Sequence, residues 1–137
     1  MMTLLEDIRT VLINTGVANT STWKCWIQYA PDNADQCISL HYTGGMPQDT
    51  LAGENIRPTF QLRIRASGLD QAAAQAKWWD MFAALHDADL SAYGIHLIQS
   101  GATGPLEWLD GKNRPNLTAN FSVLMNSPAF VGDGGTS

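Results

Sequence analysis

Residues 59–66 set the strongest constraint on what this chain can fold into. Phe60, Leu62, Ile64 and Ala66 alternate with Thr59, Gln61, Arg63 and Arg65. A period of two places the apolar side chains on one face of a strand and the polar ones on the other. Such a strand belongs to an antiparallel sheet with one packed face and one open face. Ser67-Gly68 breaks it, and an Ala-rich stretch from Leu69 to about Asp87 then favours helix. A half-buried strand followed at once by a helix asks for helices laid on one side of the sheet.

The remaining segments extend this pattern. Thr3 to Asn14 reads as an amphipathic helix, with Leu4, Leu5, Ile8, Val11 and Leu12 in one stripe and Thr3 and Glu6 spaced as a capping box. Trp23 to Tyr29 alternates, with Trp23, Cys25, Ile27 and Tyr29 on one side. The turn cluster Pro31-Asp32-Asn33-Ala34-Asp35 follows, and Gln36 to Tyr42 then runs with Ile38, Leu40 and Tyr42 inward. A hairpin is the simplest connection between these two strands. Thr43 to Arg57 holds three Gly, one Pro and few periodic apolar residues, and reads as a long loop of the kind that carries function. In the second helix, Leu69, Ala73, Ala76, Trp79, Phe82, Ala83 and His86 share a broad face, with Trp78 and Leu85 flanking it. Trp78, Trp79 and Phe82 are all expected in the core. Gly94 to Ser100 is a short strand, Gly101 to Gly104 turns the chain, Leu106 to Leu109 is another strand, and Asp110-Gly111 opens a hairpin to the alternating Pro115 to Met125. The order is α-β-β-β-α-β-β-β, an α+β fold with a mainly antiparallel sheet and two helices packed on one face. Residues 1–125 form the single domain, and the Ser, Pro, Gly and Asp of residues 126–137 have the composition of a flexible tail.

Composition narrows the function. At 137 residues there is room for one domain, and only 15% of residues are charged. Interface cores are depleted in charge, so a chain this poor in it suits an assembly subunit. The net charge is −5 and the eight Lys and Arg are scattered, which argues against a nucleic-acid-gripping surface. No apolar run is long enough to span a bilayer, and the first residues lack a signal-peptide pattern, so the expected setting is the cytoplasm. Cys25 and Cys37 form no metal-ligand pattern; they are expected reduced, on opposite strand faces, acting as small hydrophobes.

Catalytic motifs are missing. There is no GxSxG, P-loop, GxGxxG or HExxH, and Gly44-Gly45 precedes no Lys-Ser/Thr. His41, His86 and His96 fall on three different elements, and His86 beside Phe82 reads as a packed histidine. No catalytic residue, metal or cofactor is assigned. Arg63 and Arg65 project from one strand face about 7 Å apart. They suit either a solvated outer face or contact with acidic groups of a neighbouring subunit.

Several segments, taken in order, resemble the tail terminator (minor capsid) family of tailed bacteriophages. They are Leu4-Leu5-Glu6-Asp7-Ile8; the stretch Pro31 to Leu40 with Asp35-Gln36-Cys37-Ile38; Thr43-Gly44-Gly45 with Pro47; Arg57 to Arg65; and Gly111 to Arg114 with Asn120-Phe121. The Gly45–Arg57 segment, the C-terminal tail and the Trp78-Trp79 pair depart from the family pattern. The resemblance implies a virion structural protein, not an enzyme. It implies a ring of identical subunits, six in the usual case, seated on the tail tube protein beneath a head connector. Genomic DNA would pass through the lumen without specific binding, and assembly would take place in the host cytoplasm. The residues expected at subunit or tube contacts are Thr43, Gly44, Gly45, Met46, Arg57, Arg63 and Arg65. Two other readings fit the same composition: a head-completion or head-to-tail joining neck protein, and a small cytoplasmic binding module or enzyme that uses the Thr43–Arg57 loop as a lid.

Overall fold

A computed structural model describes residues 3–46, 55–101 and 105–126 of the chain. Helix α1 (Leu4–Asn14) starts at a complete capping box. The Thr3 hydroxyl accepts from the Glu6 amide at 3.2 Å, and the Glu6 carboxylate accepts from the Thr3 amide at 2.9 Å. Its apolar stripe is buried as the spacing requires. Strands β1 (Cys25–Ile27), β2 (Cys37–Met46) and β3 (Asn55–Arg65) precede helix α2 (Gln71–Leu85). A short 3-10 turn (Ser91–Tyr93) leads to β4 (Ile95–Ser100), β5 (Leu106–Leu109) and β6 (Pro115–Asn126).

The sheet order is β1-β2-β3-β6-β4, with β5 also on β6. All pairings are antiparallel except β1 with β2. Register puts Ile38 beside Ile64, Leu40 beside Leu62, and Phe60, Leu62 and Ile64 beside Phe121, Ala119 and Leu117. That apolar face meets both helices in one core, where Phe60 stacks on Phe121 and Trp78 lies 6.2 Å from Phe121. The α+β order and the placement of the helices therefore agree with the reading from sequence.

Five local expectations do not hold. First, β1 and β2 form a parallel pair and no hairpin, with Cys25 opposite Ile38 and Ile27 opposite Leu40. Parallel neighbours need a crossover, and here residues 28–36 supply it without a helix. Second, Tyr29 is exposed and stacks on Trp26 at 5.5 Å, because Gln28 has a φ of 66° and breaks the alternation. Third, α2 is rotated from its expected orientation. It buries Ala74, Trp78, Met81 and Leu85, an i, i+4, i+7, i+11 series, while Trp79 is 57% exposed.

Fourth, the Thr43–Arg57 loop is shorter than its composition suggests. Strand β2 continues to Met46 and β3 begins at Asn55, with Gly45 opposite Pro58 and Met46 opposite Arg57. A bulge at Thr43 accommodates this, with Gly44 at a φ of 100° that a residue with a Cβ rarely adopts. Pro58 lacks an amide hydrogen, and the ladder to β6 lapses at Arg57 and Pro58. Residues 47–54 lie outside the described residues. Fifth, the chain does not reverse between β4 and β5. Both strands run antiparallel to β6 along its same edge, and residues 102–104 of the expected turn lie outside the described residues. Of the expected tail at residues 126–137, Asn126 is instead the last residue of β6, and residues 127–137 lie outside the described residues.

Candidate functional site

The open face of the sheet is built by the odd-numbered residues of β3. Arg57, Thr59, Gln61, Arg63 and Arg65 point away from the core because Phe60, Leu62 and Ile64 point into it. Thr43 lies beside Thr59 on this face, the two hydroxyls 2.8 Å apart. Gln61 accepts from the Arg63 Nε at 2.7 Å. His41 meets Ser39 at 2.9 Å, and burial, with a contribution from the Arg63 charge, holds its pKa below the ordinary value. A histidine so shifted is neutral at pH 7, so the cationic character of this face comes from arginine and lysine.

Of the residues singled out from sequence, Thr43, Gly44, Gly45, Met46 and Arg57 share the outer part of the β2–β3 arm, and Arg63 is exposed further down β3. Arg65 also makes contacts within the subunit. Its Nη1 donates to the carbonyls of Pro31 at 2.9 Å and Ala34 at 3.0 Å, so it holds the β1–β2 crossover onto the sheet.

Arg114 holds the same crossover and was not singled out from sequence. Only 3% exposed, it lies where the β5–β6 hairpin meets residues 32–35. Its Nε donates to Asp110 Oδ2 at 2.9 Å, its Nη2 to Asp32 Oδ1 at 3.0 Å, and its Nη1 to the Asp32 carbonyl at 2.7 Å. Lys112 adds a 2.8 Å pair with Asp32. Hydrogen bonds from Lys112 and Arg114 hold the Asp32 carboxyl below its usual range. At Asp110, burial pushes upward but is outweighed by hydrogen bonds from the Arg114 and Lys112 amides and from the side chains of Asn116 and Arg114. This carboxyl also sits well below its usual range. The nearest signal in the sequence was the Asp-rich turn at 32–35 with the Asp110-Gly111 hairpin, but nothing in local spacing pairs segments about 80 residues apart.

The crossover and the hairpin wall off a depression of about 400 Å³ on the open face. Arg63, Arg65, Lys112 and Arg114 line it with the acids Asp32 and Asp110, Asp35 pairs with Arg114 at 3.4 Å, and Trp108 also lies in its wall. Cys37 and Ser39, on the strand face opposite Ile38 and Leu40, are each 2% exposed beneath it. Burial pushes the Cys25 thiol up to about 12, with Arg9 opposing, so it is not a nucleophile at neutral pH. Among the described residues no group of three or more His, Cys, Asp or Glu is placed to hold a metal ion. No helix among them is long and apolar enough to cross a membrane. His86 is packed, stacking on Phe82 at 4.5 Å and accepting from the Ser100 amide at 3.0 Å through Nδ1.

Residues 10–100 match the family model described as bacteriophage tail terminator protein. Among solved structures, a chain from the virion of a native gene transfer agent particle is similar in fold, with a TM-score of 0.61 and 14% identity. The similarity covers 90% of this chain and 91% of that one. No curated protein matches the chain.

Proposed function

Because this chain belongs to the bacteriophage tail terminator family, we propose that it forms a ring that caps the tail tube, halts tube polymerisation and joins the tail to the head connector. The observation that carries this reading is the family match over residues 10–100, which takes in the end of α1, strands β1 to β4 and α2. The architecture is compatible with it. One side of the subunit is a helix layer and the other an open polar sheet, so a contact between the two is head-to-tail. Such contacts close into a ring when the rotation per subunit divides the circle. A ring that offers the tube a matching surface below and a different surface above leaves the next tube ring nothing to bind.

In this reading the β2–β3 arm, with Thr43, Gly44, Gly45, Met46 and Arg57, meets the neighbouring subunit or the tube, and Arg63 pairs with a neighbour. Arg65 shares that face in the same reading, and its bonds to the Pro31 and Ala34 carbonyls also position the crossover beside Arg63. A net charge of −5 suits DNA passage, since a negative lumen repels phosphate instead of gripping it. Residues 1–125 act as one domain, and the protein is a structural component of the virion, assembled in the host cytoplasm.

Tail lengths by negative-stain microscopy test the proposal, in a lysate whose copy of this gene carries an early stop codon. Overlong tubes detached from filled heads are expected. Unattached tails of normal length would replace the capping role with that of a joining protein of the neck, and wild-type particles would overturn both.

A further inference from the structure

The ring reading leaves open which surfaces meet, and two features on opposite sides of the subunit fit one another. On the helix layer, Trp79 is 57% exposed on α2 and Asp80 beside it is exposed as well. The indole is braced from within, edge-on to Phe82 at 5.8 Å and tilted against Trp78 at 6.4 Å. It therefore loses little side-chain freedom when a partner covers it. Asp87 and Asp89 extend the acidic surface beyond the helix end, and Lys77, the one cation of α2, is turned away to the Val17 carbonyl at 2.8 Å.

On the open sheet face lies the cationic depression, with Trp108 in its wall and the exposed Arg63 among its lining residues. A surplus of positive charge here, in a chain of net charge −5, leaves the excess negative charge to other surfaces, the helix layer among them. Buried Trp and Arg side chains are the usual anchors of protein interfaces. The depression is also large enough for an indole and a carboxylate together.

Building on the ring reading, we propose that Trp79 and Asp80 of one copy seat in the open-face depression of the next, with Trp79 against Trp108 and Asp80 against Arg63. Projection and depression are different surfaces of one subunit, so the contact is heterologous and can propagate around a ring. A two-fold pairing would instead need one surface that complements itself.

The test is a charge exchange in the full-length protein, supplied to a strain carrying the stop codon. Asp80→Lys and Arg63→Glu should each cut normal-length tailed particles by about tenfold or more, as like charges then face each other across the joint. Trp79→Ala should do the same. The double variant Asp80→Lys/Arg63→Glu restores the opposite pair and should recover particles to within about threefold of wild type. Circular dichroism melts of the single variants should match wild type, since both sites are exposed. Single reversals that assemble normally would overturn the interface, and so would a double variant that fails to recover. Either failure, in a strain whose stop codon gives overlong tails, leaves the ring reading intact. A stop codon that leaves tails wild-type removes both.

Discussion

Arg114 shows how a single side chain can fix a topology. The β1–β2 crossover has no helix to bury, so polar bonds must hold it to the sheet. Arg114 contributes bonds to Asp32 and Asp110, and Arg65 adds two to backbone carbonyls. Replacing Arg114 with Ala removes charge-assisted bonds and leaves unfilled space. The carboxylate of Asp32 is exposed and can rehydrate, which keeps the cost of Arg114→Ala to about 2–3 kcal/mol. A urea melt would measure it, and a loss below half a kcal/mol would contradict the clamp. The same cluster sets a pH dependence. The folded-state pKa values of Asp32 and Asp110 are depressed, so their stabilisation is present at neutral pH. It fades as pH falls below roughly 4, where the unfolded carboxylates take up protons first. Melting temperature should drop through that window, and Asp110→Asn should flatten the drop.

At the scale of elements, α2 carries the sharpest contrast. Trp78 and Trp79 are adjacent in sequence and chemically identical, yet one is 1% exposed and the other 57%. Trp78→Ala should therefore cost about 3–5 kcal/mol through the cavity it opens. Trp79→Ala should stay within about 1 kcal/mol. Equal losses in thermal or denaturant melts would contradict the observed orientation of the helix. Helical spacing alone favours Trp79 inside, because Ala73, Ala76 and Ala83 make a tolerable stripe with it. Alanine fits either face, so it could not arbitrate; Met81, on the buried side, was the residue that could. The β2–β3 arm shows a related gap. Gly44, Gly45 and Pro58 depress strand propensity, but pairing to β3 and a bulge at Thr43 carry the strand through regardless.

At the scale of the whole molecule, the proposed ring contact sets the helix layer of one copy against the open sheet of the next. An interface built around an Asp80–Arg63 pair is sensitive to ionic strength at its rim. Assembly of the purified chain onto tail tubes, followed by sedimentation, should weaken as salt rises from about 0.05 to 0.5 M, where the screening length shortens from roughly 14 to 4 Å. Assembly that strengthens across that range would instead point to an apolar joint centred on Trp79 and Trp108.

What the sequence determined by itself was whatever depends on local period and local chemistry. The alternation at 59–66 and 115–125 marked β3 and β6, the capping box marked the start of α1, and the apolar faces of these elements implied one core between helices and sheet. The resemblance in ordered segments points to the same family that matches residues 10–100. Long-range packing is what makes β1 and β2 parallel, sets β4 and β5 on one edge of β6, turns Trp79 of α2 outward, and lets Arg114 join segments about 80 residues apart. Each of these depends on contacts between residues distant in the chain, whose free energy outweighs local preference and leaves no period in the sequence.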